Sequence, residues 1–257
     1  MARVLVTGST TGLGLAAARA LLDTGHSVIV HARNIERAES LGALAASCEG
    51  VVIGDLADLD ATTRMAESVN ALGSVDAVIH NAGIYVDAEP NVSPDGHPRV
   101  VTVNVLAPYL LTILITRPAR LIYLSSGMHT SGRATLDDLR WNDRRWDGVQ
   151  AYCDSKLLVT TLAFAVARHW PDVRSNAVDP GWVPTRMGGP HAPDDLALGH
   201  DTQVWLATSD EPAAARTGEY WHYRRVRSPA AAANDTGFQD GLLDTLARAT
   251  GQPFPPA

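Results

Sequence analysis

The chain has 257 residues, 46% of them hydrophobic, and its 28 acidic side chains outnumber 21 basic ones, which gives a formal net charge of −7. This length suits a single α/β domain, and an acidic surface repels polyanions, so a nucleic-acid partner is not expected. The chain has only two cysteines, far apart, which argues against a disulfide framework. No leader peptide is visible, and no apolar run is long enough to span a membrane. These features predict a cytoplasmic protein with no membrane partner.

The first half of the chain alternates short β-branched runs with helical patterns. The predicted strands are Arg3–Thr7, Ser27–His31, Val51–Gly54 and Val75–His80, and the predicted helices are Leu13–Asp23, Ile35–Ala46 and Leu59–Leu72. Such alternation is typical of βαβ units around a parallel sheet. Residues 28–30 and 77–79 are apolar on both faces, which predicts strands covered by helices on each side.

The second half continues this alternation more loosely. The predicted helices are Val100–Ile115, Ala151–Trp170, Gln203–Thr208 and Phe238–Ala249, and the predicted strands are Leu121–Leu124, Arg174–Val178 and Gly218–Tyr223. We therefore predict one α/β domain over residues 1–257, with a doubly wound parallel sheet of about seven strands and helices on both faces. A substrate-covering loop at 183–200 and a flexible tail at 252–257 are also expected.

A glycine-rich loop follows the first predicted strand and leads directly into a helix. Its sequence is Thr7-Gly8-Ser9-Thr10-Thr11-Gly12-Leu13-Gly14. Glycines allow a tight turn and a close backbone approach, and the free N–H groups of a helix N-terminus favour a pyrophosphate. The G-x-x-x-G-x-G spacing differs from the common G-x-G-x-x-G fingerprint, so the loop alone indicates either a dinucleotide site or a structural turn.

The end of the second predicted strand bears on the choice of dinucleotide. It reads His31-Ala32-Arg33-Asn34, at the place where NAD-binding folds carry an acidic residue on the ribose hydroxyl. Arg33 is either an ordinary exposed arginine or the residue that accommodates a 2′-phosphate. Because no acidic residue competes at this place, the sequence favours NADP(H) over NAD(H).

Tyr152 and Lys156 stand four residues apart on a predicted helix, which places both side chains on one face. A tyrosine whose pKa is near 10 is a poor acid–base catalyst at neutral pH until its phenolate is stabilised, and an adjacent ammonium supplies that stabilisation. Lys156 is the single lysine among the 21 basic residues, so position 156 favours a compact ammonium over a guanidinium. The alternative, a plain surface pair, does not explain this count.

Several further motifs occur in a fixed order along the chain. They are Gly8, Gly12 and Gly14, then Asp55-Leu56, Asn81-Ala82-Gly83, Asn104, Ser126, the Tyr152/Lys156 pair and Pro180-Gly181. In this order they resemble the classical type of the short-chain dehydrogenase/reductase family, and the resemblance runs from Arg3 to about Ala249. It implies a Rossmann-type fold and an NADP(H)-dependent, reversible reduction of a ketone or aldehyde to an alcohol. An NAD-dependent alcohol dehydrogenase of the same fold and a non-catalytic dinucleotide sensor are the alternatives.

The resemblance implies a catalytic role for four residues. Tyr152 would donate the proton in reduction, and Lys156 would hold the nicotinamide ribose and lower the pKa of Tyr152. Ser126 would hydrogen-bond the substrate carbonyl, and Asn104 would anchor a water linked to Lys156. No metal ligand is expected. The expected cofactor-binding residues are Gly8, Ser9, Thr10, Thr11, Gly12, Leu13, Gly14, Arg33, Asn34, Asp55, Leu56, Asn81, Ala82, Gly83, Tyr152, Lys156, Pro180, Gly181, Val183 and Thr185.

The substrate pocket is expected at the carboxyl ends of the strands, beneath the loop that begins at Trp182. Its expected lining residues are Ile84, Tyr85, Gly127, Met128, Trp182 and Met187. This set is mainly apolar, with Arg186 as the nearby cation, and it predicts a small apolar carbonyl or alcohol substrate. The alternative is that Trp182 and Met187 only pack the loop onto the body of the protein.

The long interval between Ser126 and Tyr152 resembles the retinol-dehydrogenase-like branch of the family, since it contains His129 and Trp141. Members of that branch often carry a membrane anchor, which is not visible here, so a lipid retinoid substrate does not follow. The segment Thr116-Arg117-Pro118 ends the Asn104 helix early, because proline stops a helix. Because that helix commonly builds the family's dimer interface, the resemblance leaves a homodimer open.

Overall fold

The computed structural model describes residues 1–85 and 89–256. Its strands are β1 (Arg3–Val6), β2 (Ser27–Ala32), β3 (Gly50–Ile53), β4 (Ala77–His80), β5 (Arg120–Leu124), β6 (Arg174–Asp179), β7 (Tyr220–His222) and β8 (Arg225–Arg227). They form one sheet in the order β3-β2-β1-β4-β5-β6-β7-β8, and every pair except β7–β8 is parallel. The predicted doubly wound, mostly parallel sheet is confirmed, with one more strand than expected.

Helices cover both faces of this sheet. They are α1 (Gly12–Asp23), α2 (Ile35–Glu39), α3 (Ala43–Ser47), α4 (Leu59–Leu72), α5 (Arg99–Val101), α6 (Ala107–Leu114), α7 (Gly148–His169), α8 (Leu196–Thr208) and α9 (Thr236–Thr250). A π-helical turn, Thr102–Leu106, joins α5 to α6, and 3₁₀ turns occupy Gly127–Ser131 and Ala231–Asn234. In the described part of the chain, no helix has both the length and the apolar character needed to cross a bilayer.

The side-chain alternation of β1 shows how the two layers form. Val4 and Val6 pack with α1 and α8, whereas Leu5 packs with α4, α6 and α7, and all three side chains are fully buried. Burying each such side chain stabilises the fold by about 1.5–3 kcal/mol. Strands that are apolar on both faces therefore hold the two helix layers together, as the sequence pattern predicted.

The single helix predicted at Ile35–Ala46 is two short helices. The break lies at Gly42, whose φ of +54° is incompatible with a continuing helix and suits a residue without a Cβ atom. The Asn34 side chain begins α2 by accepting a hydrogen bond from the Arg37 N–H group (3.0 Å).

The extra strand, β8, is a short basic segment that follows the predicted strand Gly218–Tyr223. Tyr223 and Arg224 both have positive φ, +48° and +55°, as a two-residue type I′ hairpin turn requires. Arg224 holds this turn on α8, because its guanidinium binds the Asp201 carboxylate and its N–H donates to Thr202 Oγ1 (3.0 Å). The turn lacks the Asn-Gly pair that is typical of type I′ turns, and these contacts with α8 stabilise it instead.

The C-terminal segment 252–256 is packed against α6 and α7. The Phe254 ring stacks on Trp170 with centroids 4.8 Å apart, and the Trp170 indole N–H donates to a backbone carbonyl of the segment (3.1 Å). Tyr109 donates a second hydrogen bond to it (2.8 Å). A proline-rich composition does not reveal such an aromatic docking surface, and the flexibility of the tail stays a prediction; Ala257 lies outside the described residues.

Candidate active site

The glycine loop between β1 and α1 is pressed against the segment that follows β4. Gly8 has a φ of +63°, and a Cβ atom there would lie 2.9 Å from Ala82 Cα. A Cβ atom at Gly14 would lie 2.4 Å from the Gly8 carbonyl oxygen, and the Asn81 amide donates to the Thr7 carbonyl (2.9 Å). Only glycine fits these two places, so the loop is shaped for a close backbone approach.

The glycine loop presents backbone N–H groups, rather than side chains, to a ligand. Ser9 is fully buried, and its hydroxyl donates to the Val6 carbonyl (2.9 Å) and accepts from the His31 N–H group (2.8 Å). Thr11 precedes α1 without a side-chain capping hydrogen bond, and the first turn of α1 holds no acidic residue. The first N–H groups of α1 are thus left for an anion, which fits a pyrophosphate.

A cleft of about 500 Å³ lies beyond the ends of β2 and β3. It is lined by Arg33, Asn34, Ile35, Glu36, Ile53, Gly54, Asp55, Ala61 and Arg64. Arg33 comes from the end of β2 and Arg64 from α4, and both side chains are exposed. Leu56, by contrast, is a core side chain. The sequence singled out Arg33 but missed Arg64, since one arginine on a polar helix face looks like any solvated residue.

Asn104 lies in the π-helical turn between α5 and α6, a feature that often occurs at functional sites. Its amide nitrogen donates to the Ile84 carbonyl and to Ser155 Oγ (both 3.0 Å), and its oxygen accepts from the Ile84 N–H group (2.9 Å). The side chain therefore ties the segment after β4 to α7. A water-anchoring role for Asn104 stays a prediction.

Tyr152 and Lys156 lie together on the inner face of α7, and both are buried. Lys156 Nζ donates to the Leu124 carbonyl at the end of β5 (2.8 Å) and lies 5.6 Å from the centroid of the Tyr152 ring. A Cβ atom at Gly83 would come within 3.5 Å of the ammonium. The glycine keeps the space in front of Lys156 open, which fits a ribose hydroxyl.

Burial sets the protonation of this pair. It raises the pKa of Tyr152 to about 12, although the Ser126 side chain acts in the opposite direction. It lowers the pKa of Lys156 to about 8, although the Asp179 carboxylate favours the charged form. At neutral pH the phenol is therefore protonated and the lysine is a cation. The lowering of the Tyr152 pKa by Lys156 stays a prediction.

Ser126 ends the segment after β5 and begins a 3₁₀ turn, where its hydroxyl accepts from the Met128 N–H group (3.2 Å). His129, in that turn, uses both ring nitrogens: Nδ1 lies 2.8 Å from the Ser126 carbonyl, and Nε2 accepts from the Ala230 N–H group (3.0 Å). Since a carbonyl only accepts, the ring must be neutral with its proton on Nδ1. The sequence took His129 as a family marker and missed this positioning contact.

Several apolar side chains beside Tyr152 and on the loop after β6 are partly or largely exposed. Tyr85 meets the Tyr152 ring edge to face, with centroids 4.7 Å apart, and Trp182 and Met187 are 60% and 43% exposed. Ile84 and Met128 are half-buried. The role of Trp182 and Met187 in lining a substrate pocket stays a prediction.

The irregular loop after β6 is shorter than the expected 183–200, and its role in covering the substrate stays a prediction. It ends at Asp195, whose carboxylate accepts from the Ala197 N–H group (2.8 Å) and begins α8. Residues 196–200 are the first turn and a half of a helix, because Asp195 is a strong N-cap residue. Near its start, Thr185 approaches Gly12 of the glycine loop.

Comparisons with known proteins agree with this geometry. A family model described as enoyl-(acyl carrier protein) reductase matches residues 8–205. The short-chain dehydrogenase chry4 of Gibberella zeae is 38% identical over 260 residues, which cover 99% of each chain. The chain belongs to the short-chain dehydrogenase/reductase family. It is an enzyme of the oxidoreductase type, as the motif order predicted.

Further relatives of this enzyme narrow the branch. Retinol dehydrogenase 13 of Homo sapiens is 28% identical over 286 residues, which cover 98% of this chain and 85% of that one. A crystal structure of an uncharacterized Mycobacterium paratuberculosis protein superposes with a TM-score of 0.85 at 27% identity, over 99% of this chain and 95% of that one. The predicted likeness to the retinol-dehydrogenase-like branch is confirmed.

Proposed function

We propose that this enzyme reversibly reduces an uncharged ketone or aldehyde to an alcohol, with NADPH as the reductant. The observation that carries the proposal is that Tyr152 and Lys156, both buried and side by side on α7, lie beside Ser126 at the carboxyl edge of the sheet. The experiment that tests it follows NADPH oxidation with a panel of ketones and aldehydes. A chain that oxidised NADPH with none of them would not have this function.

The residues present fit a nicotinamide dinucleotide. The Gly8 and Gly14 backbone and the uncapped start of α1 would hold the pyrophosphate, and the open space at Gly83 would hold the nicotinamide ribose against Lys156. Pro180 and the covering loop would close over the nicotinamide. When bound, the cofactor supplies the hydride, and the protein supplies position and protons.

In the reduction, the Ser126 hydroxyl hydrogen-bonds the carbonyl oxygen and holds it toward Tyr152. The Tyr152 phenol gives its proton to that oxygen as negative charge develops there. The Lys156 ammonium stabilises the phenolate that remains, since an opposite charge nearby favours an ionised group. In the reverse direction the phenolate takes the proton of the alcohol.

The cleft that contains Arg33 and Arg64 supports NADPH over NADH. Two arginines from different elements, β2 and α4, flank a space large enough for an adenosine end, and Arg is suited to bidentate contacts with phosphate. Exposed Ile35 and Ile53 provide an apolar face for the adenine. Glu36 also lines the cleft, and two cations outweigh its single charge.

Changing Arg33 or Arg64 to alanine is expected to raise the KM for NADPH at least tenfold and to leave the KM for NADH within about twofold. A lost charge-assisted contact costs about 1.5–3 kcal/mol, which corresponds to that factor. Arg248→Ala, on the exposed face of α9, is the matched control. Equal weakening of both cofactors would instead favour the alternative of an NAD-dependent alcohol dehydrogenase.

A sensor that binds a dinucleotide without catalysis is the other alternative. Such a protein has no use for a buried lysine beside a buried tyrosine, since burying an ionisable group costs stability. Lys156 and Tyr152 are both buried here, and Ser126 stands beside them. The arrangement supports catalysis rather than sensing.

The exposed apolar side chains beside Tyr152 and on the loop after β6 support a hydrophobic substrate, and Trp182→Ala is expected to raise KM about tenfold while changing kcat by less than about threefold. Removing the exposed indole loses about 60 Å² of contact, worth about 1.5 kcal/mol. The measurement is steady-state kinetics with aromatic and cyclic ketones. A preference for a small keto acid that disappears in Arg186→Ala would show that Arg186 anchors a carboxylate and that the substrate is anionic.

A further inference from the structure

Asp179 is the last residue of β6 and places a carboxylate at the catalytic edge of the sheet. Its Oδ1 accepts a hydrogen bond from the Gly181 N–H group (3.0 Å). Its Oδ2 lies 3.5 Å from His222 Nδ1, which is longer than a normal hydrogen bond. The side chain is 17% exposed. A carboxylate accepts about four hydrogen bonds, so this one retains acceptor capacity.

The Asp179 carboxylate also interacts with the Tyr220 hydroxyl, whose pKa is raised by burial and by this carboxylate, and one carboxylate oxygen faces the residue next to Ser126. Asp179 Oδ2 lies 3.3 Å from the position that a Cβ atom on Gly127 would take, and Gly127 is exposed. Because Gly127 has no side chain, nothing from that residue separates Asp179 from a molecule held by Ser126. The carboxylate therefore borders the place where the proposed substrate lies.

The surroundings of Asp179 determine which ligand groups suit it. The buried Lys156 ammonium already balances its charge, so a second cation gains little there, and an anion would be repelled. Two described side chains close to the site are mainly apolar: Tyr85, whose ring meets that of Tyr152, and Met128, which follows Gly127. A neutral O–H donor brought into such a site needs an acceptor, because an unpaired buried donor costs free energy.

We propose that Asp179 is a specificity-determining residue that accepts a hydrogen bond from a hydroxyl group of the substrate, so that this enzyme prefers hydroxylated carbonyl compounds. The proposal rests on the carbonyl reductase function proposed above and names the substrate class of the same site. The carbonyl oxygen binds Ser126 and Tyr152, while a hydroxyl elsewhere on the same molecule binds the carboxylate. A site that hydrogen-bonds a substrate hydroxyl discriminates strongly against analogues that lack that hydroxyl.

The test compares aryl methyl ketones that carry a ring hydroxyl at each position with their methyl ethers. In the wild-type enzyme, at least one hydroxyketone is expected to exceed its ether about tenfold or more in kcat/KM. Asp179→Asn is expected to reduce that ratio at least about fivefold, mainly through the KM for the hydroxyketone. Asp172→Asn, an exposed carboxyl far from the site, is the matched control.

Two results would overturn the proposal. One is a wild-type enzyme that treats every hydroxyketone and its ether alike. The other is an Asp179→Asn enzyme that loses activity equally on both substrates and whose pH–rate profile shifts on its alkaline side. That result would mean that Asp179 acts only through Lys156. If Asp179→Asn has a much lower melting temperature than wild type, Asp179→Ser is used in its place. Serine keeps an acceptor for the Gly181 N–H group.

A direct binding measurement separates this proposal from the proposed function. Quenching of tryptophan fluorescence gives the Kd of each hydroxyaryl alcohol and of its methyl ether, with wild type and with Asp179→Asn. If no carbonyl is reduced, the proposed reductase function fails. The role of Asp179 is still supported if wild type binds the hydroxyl ligand more tightly than its ether and Asp179→Asn does not. Equal Kd values for the two ligands would refute it.

Discussion

Replacing Tyr152 with phenylalanine is expected to lower kcat for carbonyl reduction by about 10²–10⁴-fold, the range that a positioned general acid contributes. Phenylalanine keeps the ring that meets Tyr85 and removes only the hydroxyl, so the site should keep its shape. The binding of NADPH, measured by titration, should change by less than about twofold, because the change removes a transferable proton rather than a binding surface.

The burial of Tyr152 makes this test specific. Its pKa of about 12 keeps the phenol protonated across the working range, and the variant therefore lacks a donor at every pH. Tyr109→Phe is the matched control, since Tyr109 is also buried but lies on α6 and binds the C-terminal segment. A Tyr152→Phe enzyme that kept a tenth or more of the wild-type kcat would show that another group donates the proton.

Lys156→Met is expected to abolish turnover and yet to make the cofactor-free protein more stable by about 1–3 kcal/mol at pH 7. The pKa of Lys156 falls from 10.5 to about 8 on burial. Each pKa unit corresponds to about 1.4 kcal/mol, so the buried cation costs about 3 kcal/mol below pH 8. The lost hydrogen bond to the Leu124 carbonyl offsets about 1 kcal/mol of that gain.

The sign of the pH dependence follows from proton binding. Between pH 8 and 10.5 the unfolded chain holds a proton on Lys156 that the folded chain has released, so wild-type stability rises with pH through this window. The advantage of the methionine variant should therefore shrink between pH 7 and pH 10. Urea unfolding at both values measures it, and a variant less stable than wild type at pH 7 would contradict the argument.

Lys156→Arg separates charge from geometry at the same position. The ammonium lies 2.8 Å from the Leu124 carbonyl, and the open space in front of it is only the room that the missing side chain of Gly83 leaves. A guanidinium is larger and planar, so it should overfill this space and reduce kcat/KM at least about 100-fold. Full activity in the arginine variant would mean that the single lysine of the sequence carries no functional information.

The amino-acid sequence by itself determined the order of strands and helices, the glycine loop and the Tyr152/Lys156 pair. These features are local: β-branched runs, helical periodicity and glycine positions act over a few residues, and a spacing of four places two side chains on one helix face. The catalytic type of the enzyme could be predicted for the same reason, since its motifs occur in sequence in a fixed order.

The tertiary structure alone decided which distant residues meet. Arg64 joins Arg33 only because α4 packs beside the end of β2, and Asp179 borders the site only because β6 lies next to β5. The β7–β8 hairpin turn depends on contacts with α8, and the tail depends on an aromatic surface formed by Trp170. Such contacts join residues far apart in the chain, and their free energy depends on packing and burial, which no local pattern contains.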